Sequence, residues 1–163
     1  MTKLANFNGL HVAAFESRRA DEMARMIEKC GGVAHVSPSM REVPLDDNSA
    51  GVDFAHRLIT GEVNIVIFLT GVGFQQLLNV VERKVDRQRY LDTLADVTTI
   101  CRGPKPVAAM KEVGLTPTIR VPEPNTWRDL LTTIDREVVV ANQTVALQEY
   151  GKTNTSIITG LEA

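Results

Sequence analysis

Cysteine is scarce in this chain: Cys30 and Cys101 are the only two in 163 residues, far apart and at no metal-ligand or redox spacing. That excludes a disulfide framework and a zinc ribbon, and reads as buried free thiols in a reducing cytoplasm. An excess of one charge is missing too. Lys and Arg number 18 against 20 Asp and Glu, a formal net charge of −2, so no basic surplus is available for nucleic acid or an anionic membrane. No apolar run approaches the roughly 20 residues that span a bilayer. The opening MTKLANFNGLHV has neither the apolar region nor the small-residue cleavage site of a secretory leader. Also absent are a Walker lysine motif, a nucleophile elbow and a Cys–His pair of recognisable spacing. The reading is a soluble, cytoplasmic protein in which any anion binding is local, made by backbone and a few Arg or Lys side chains.

What is present suits a globular core. Hydrophobic residues make up 44% and charged ones 23%, ordinary proportions for one domain, or one domain plus a fragment, at this length. The organising stretch is Asn64–Gln75, NIVIFLTGVGFQ. Ile65-Val66-Ile67-Phe68-Leu69 is β-branched and aromatic and too short for a helix, the pattern of a central parallel strand buried on both faces. It breaks at Thr70-Gly71-Val72-Gly73. Phe74, Leu77, Leu78 and Val81 then follow at helix spacing. A strand, a small-residue turn and a helix start present unpaired N–H groups and a positive dipole end to an anion. The turn lacks the third glycine of a dinucleotide fingerprint, so a nucleotide is not indicated.

The rest of the chain alternates in the same way. Leu10–Phe15 reads as a strand, Ser17 as the cap of a helix carrying Met23, Met26 and Ile27, Gly31-Gly32 as its stop, and Val33–Val36 as a second strand. Residues 39–52 read as a polar linker, and Phe54, Leu58 and Ile59 as a short helix. ERKVDRQRYLDTLAD, from Glu82 to Asp96, reads as one charged, solvated helix. Val97–Cys101, Thr118–Val121 and Thr144–Gln148 read as strands, with helices at Val107, Met110 and Val113, at Trp127, Leu130, Leu131 and Ile134, and around Ile157, Ile158 and Leu161. The order is α/β with doubly wound parallel sheets. Residues 1–38 supply only two strands, too few for a stable sheet, which points to missing partner strands.

The turns at the strand ends gather along one edge of such a sheet. They are Ser17-Arg18-Arg19, Thr70-Gly71-Val72-Gly73, Arg102-Gly103-Pro104-Lys105-Pro106, Asn125-Thr126 and Tyr150-Gly151-Lys152. Small or hydroxyl residues recur beside helix starts, and three turns carry Arg or Lys, which suits a ligand with many carboxylates or phosphates. The candidate substrate-binding residues are Arg18, Thr70, Gly71, Val72, Gly73, Arg102, Gly103, Pro104, Lys105, Thr126, Tyr150 and Gly151. His11 and His35 fall inside strands and read as structural; His56 reads as exposed. No carboxylate pair stands out as an acid/base couple, so catalysis would act by holding and bending a substrate.

IVIFLTGVGFQQLL, VTTICRGPKPVAAMKEVGLTPTIRVPEPNTWRDLL and VALQEYGKTNTSIITGLEA, in this order, resemble the uroporphyrinogen-III synthase family, as GLHVAAFESRRADEMARMIEKCGGVAHVSP resembles its opening βαβ. The RGPKP and VPEPNTW forms look like a bacterial branch. The resemblance implies two doubly wound α/β domains joined by a two-stranded linker. Residues 1–38 would begin domain one, 39–52 would be linker and 53–163 domain two, the remainder of domain one being missing and its activity alone weak or absent. It implies a lyase of haem (porphyrin) biosynthesis. Such enzymes cyclise hydroxymethylbilane, a linear tetrapyrrole with carboxylate side chains, to uroporphyrinogen III with D-ring inversion and loss of water, using no metal or cofactor. It implies a monomer, with exchange of elements between chains as a route to complete domain one. Thr70 falls at the family's hydroxyl turn and Gly103 at its glycine turn, whereas Pro106 and Leu69 replace frequent hydroxyl residues. Tyr150 does not match the tyrosine proposed to assist water loss. The alternative expectation is a non-catalytic α/β anion- or tetrapyrrole-sensing domain of a regulator. A receiver-like domain is disfavoured, because no acidic cluster at the strand ends suits Mg²⁺.

Overall fold

The computed structural model describes residues 6–38, 49–149 and 153–163. Parallel strands built from apolar runs alternate with helices in two compact units, Met1–Leu45 and Asp46–Ala163.

In the first unit β1 (His11–Ala14) and β2 (Val33–Val36) pair in parallel, with His11 opposite Val33 and Ala13 opposite His35. The helix α1 (Ala20–Lys29) joins them and buries Ile27. Ser17 is not its cap. Arg19 holds that position without a side-chain cap bond, and the Glu16 carboxylate accepts from the Arg18 and Arg19 N–H groups at 2.9 and 3.1 Å. Those N–H bonds, Arg18's first, hold the Glu16 carboxyl below its ordinary pKa. Gly31, at φ 73°, supplies the left-handed residue that ends the helix. His11 and His35 lie within strands as expected, but on the exposed face.

The second unit is a four-stranded sheet in the order β5 (Ile119–Arg120), β4 (Thr98–Cys101), β3 (Ile65–Phe68), β6 (Val145–Gln148), with every pair parallel. All four residues of β3 are buried, as a central strand with covered faces requires. Its side chains alternate between two cores. Val66 and Phe68 join α2 (Ser49–Ile59), α3 (Gly71–Val81), α4 (Arg87–Asp96) and α5 (Pro104–Glu112) through Leu58, Phe74, Leu94 and Met110. Ile65, Ile67 and Leu69 meet α6 (Trp127–Glu137) and α7 (Thr155–Glu162) through Leu130, Ile134 and Ile157. The chain adds strands outward from β3 through β4 to β5, and α6 then carries it back to place β6 on the other side. The switch point of the sheet therefore lies between β3 and β6, where doubly wound sheets open a crevice.

Three boundaries differ from the sequence reading. The helix α2 starts at Ser49, inside the stretch read as linker. The charged stretch is not one helix, because the chain turns after Glu82 and Asp86 caps α4 by accepting from the Arg89 N–H at 2.7 Å. Nor is α4 only a solvated face: Tyr90, Leu91 and Leu94 are buried. The strand β5 begins late because Thr118 bonds β4 by side chain. Thr99 N–H donates to the Thr118 hydroxyl at 3.0 Å and Thr118 N–H to the Thr99 hydroxyl at 3.1 Å.

Candidate functional site at the carboxyl edge of the sheet

Strand β3 ends against Thr70, whose backbone is extended and whose hydroxyl accepts from Gly73 N–H at 3.0 Å, capping α3. Helix geometry leaves the other first-turn N–H groups, those of Gly71 and Val72, without intrahelical carbonyls. Across the switch point, the Gln148 side chain closes over this turn. Its Oε1 accepts from Thr70 N–H at 3.3 Å and its Nε2 donates to the Glu149 carbonyl at 2.6 Å. Gly73 is required by that approach, since a Cβ there would stand 2.0 Å from Gln148 Nε2.

Strand β4 ends in the same layer, with Arg102 N–H donating to the Phe68 carbonyl at 3.0 Å. Gly103 is the N-cap of α5 and makes no side-chain cap bond. Pro104 and Pro106 carry no N–H, so Lys105 is the backbone donor among the first three helical residues, and its exposed ammonium adds charge. Pro104 thus shapes the turn rather than donating to a ligand. A Cβ on Gly71 would lie 2.7 Å from the Lys105 carbonyl oxygen, which sets the starts of α3 and α5 side by side.

The next turn is tied to this pair by Asn125, at φ 61°, a left-handed conformation that Asn tolerates. With its nitrogen turned toward the neighbouring carbonyls, the Asn125 amide donates to Arg102 at 3.0 Å and Val121 at 2.9 Å. Its Cγ lies 3.3 Å from where a Gly103 Cβ would be. Thr126, expected as part of the cradle, is already occupied. Asp129 Oδ2 accepts from its N–H at 2.7 Å and its hydroxyl at 2.6 Å, a capping box. The Thr126 hydroxyl, and then its N–H, hold the Asp129 carboxyl below its usual pKa. That carboxylate stands where an anion would otherwise dock. At the start of α7, Asn154 caps by accepting from Ile157 N–H at 3.3 Å.

The edge therefore brings together Thr70, Gly71, Val72, Gly73, Arg102, Gly103, Pro104 and Lys105 around the α3 and α5 starts. Arg18 belongs to the other unit, in the turn before α1, and Tyr150 and Gly151 lie outside the described residues. Gln148 and Asn125 are the contributors that sequence reasoning missed. Gln148 was detectable as the polar residue ending an apolar strand, and Asn125 was placed in a strand-end turn but not among the candidate residues. Among the described residues no group of three or more His, Cys, Asp or Glu could hold a metal, and no helix is long and apolar enough to cross a membrane.

An open parallel sheet with helices on both faces defines a doubly wound α/β protein, whose strand-end turns lie along its carboxyl edge. The family model described as uroporphyrinogen-III synthase HemD matches residues 21–163. The chain belongs to the uroporphyrinogen-III synthase family. It is similar to the "Uncharacterized protein YjjA" of Bacillus subtilis (strain 168), at 28% identity over 94% of this chain and 56% of that protein. Among solved structures it is similar to a mutant uroporphyrinogen III synthase from Thermus thermophilus, at 26% identity and TM-score 0.70 over 94% of this chain and 57% of the other. The wild-type form matches with a TM-score of 0.60 over the same shares. The chain thus spans a little over half the length of these relatives.

Proposed function

We propose that this chain carries the substrate-binding edge of a uroporphyrinogen-III synthase, a lyase acting on hydroxymethylbilane. The reaction closes the linear tetrapyrrole to uroporphyrinogen III, inverts the last ring and releases water. The observation that carries the reading is the adjacency of the α3 and α5 starts, with Gly71 against the Lys105 carbonyl. Two helix N-termini, the Lys105 ammonium and the half-buried Arg102 then face one substrate, and carboxylates are stabilised at such termini. Cyclising a flexible chain is chiefly a problem of holding its ends in reach of each other, which several separated carboxylate anchors accomplish. The chain's own groups bind and orient; Thr70, with its hydroxyl already engaged by Gly73 N–H, shapes the turn.

A second reading, a tetrapyrrole-sensing domain without turnover, is favoured by one feature. Buried Pro106 offers neither hydroxyl nor N–H at a position where hydroxyl residues are frequent in the family.

Both readings require tetrapyrrole binding, and calorimetric titration with uroporphyrinogen III, kept reduced, tests it. Binding that weakens from low to high salt is expected, because exposed charge contacts are screened. No heat at low salt overturns both. Binding without conversion of hydroxymethylbilane, in a chain spanning the whole length of these relatives, selects the second.

A further inference from the structure

The first unit holds a feature that the proposed function does not use. In both β1 and β2 the burial alternates strictly, so His11, Ala13, Val33 and His35 share the exposed face of the two-stranded sheet. The parallel register sets His11 opposite Val33 and Ala13 opposite His35, which makes the two histidines diagonal neighbours within side-chain reach. They meet: His11 Nδ1 lies 2.7 Å from His35 Nε2, with ring centroids 4.9 Å apart and planes within 16°. The contact is a hydrogen bond in which one imidazole donates N–H to the bare nitrogen of the other. Small Ala13, next to them on the same face, leaves the approach open.

We propose that His11 and His35 form a two-histidine site for a first-row divalent cation such as Ni²⁺ or Cu²⁺. Imidazole nitrogens bind such ions at about 2.0–2.1 Å, so two ligands at neighbouring corners of a square or octahedron stand about 2.9 Å apart. The observed 2.7 Å is close to that spacing, and each ring turns by about 45° from the hydrogen-bond line to aim its lone pair at the ion. On binding, the imidazole that donated shifts its proton to its other ring nitrogen by exchange with solvent, both facing nitrogens donate lone pairs to the ion, and water fills the remaining positions. Affinity rises toward copper in the divalent series. The site rests on the first unit alone and does not depend on the proposed function.

Titration of the whole chain with nickel chloride, followed by calorimetry, tests it. One ion per chain is expected, with binding weakened about tenfold or more in His11→Ala and in His35→Ala, because two-point attachment is lost. His56→Ala and Cys30→Ser control for the other exposed histidine and the part-exposed thiol, and neither should move it. His35→Gln, checked for an unchanged far-ultraviolet dichroism spectrum, separates lost ligation from lost folding. Undiminished binding in either alanine variant of the pair, loss in Cys30→Ser, or no binding by the parent chain overturns the proposal and leaves the contact as a hydrogen bond.

Discussion

Gly71 lies so close to Lys105 that a Cβ at Gly71 would stand 2.7 Å from the Lys105 carbonyl oxygen and 3.0 Å from its carbonyl carbon. The atoms in the way are backbone, so neither helix start can yield without moving the other. Gly71→Ala is therefore expected to lower stability by about 1–3 kcal/mol, the usual cost of overpacking. Urea denaturation checks it. Gly73→Ala makes the contrast. The closer clash there is with the end of the Gln148 side chain, which can swing away, so its loss of stability should be smaller. An equal loss in the two variants would mean that Gln148 is as fixed as backbone.

Thr126 anchors α6 through its reciprocal bonds with Asp129, and Thr126→Ala should cost about 1 kcal/mol, as loss of an N-cap does. The same box confers acid sensitivity. Asp129 is held below its ordinary value of 3.8, first by the Thr126 hydroxyl. A carboxyl with a depressed folded pKa contributes stability that is present above its unfolded pKa and lost as pH falls through the folded one. The stability gap between the parent chain and Asp129→Asn should close on acidification from 3.8 downward. A gap independent of pH would remove the carboxylate from this role.

Cys101 is fully buried beside Met110, and desolvation pushes its thiol up to about 12, whereas Cys30 is partly exposed. Because the thiolate is the reactive form, a disulfide reagent should modify one thiol in the native protein and the second only in denaturant. Cys30→Ser should abolish the fast phase. Rapid modification of both would show that β4 opens readily.

Lys105→Ala should weaken uroporphyrinogen III binding about two- to fivefold and flatten its salt dependence, the size expected of one exposed charge contact. Calorimetry at two salt concentrations reads both effects. A weaker affinity with an unchanged salt slope would assign Lys105 a packing role instead.

The elements were largely legible from local pattern. Ile65–Phe68 as a doubly buried strand, Gly71–Val81 as its following helix and Trp127–Glu137 as a helix all followed from apolar periodicity. The errors have physical causes. Ser17 lost its capping role because the helix starts later, with Arg19 as N-cap, and Glu16, three residues before it, takes the Arg18 and Arg19 N–H groups. The Glu82–Asp96 stretch read as one helix because alternating charges hid the cap at Asp86. Thr126 looked like an open hydroxyl, yet Asp129, three residues on, closes the box.

By itself the sequence determined the alternation of strands and helices, because apolar period and turn residues act within a few positions. It determined which turns carry small residues and cations for the same reason. Only the tertiary structure decided that β6 returns beside β3, since that choice depends on how α6 packs its apolar face against the far side of the sheet. With that return come Gln148 over Thr70, Gly71 against Lys105 and Asn125 beside Gly103. The first of these contacts joins positions 78 residues apart. No local pattern encodes such a pairing; burial of the sheet's two faces selects it.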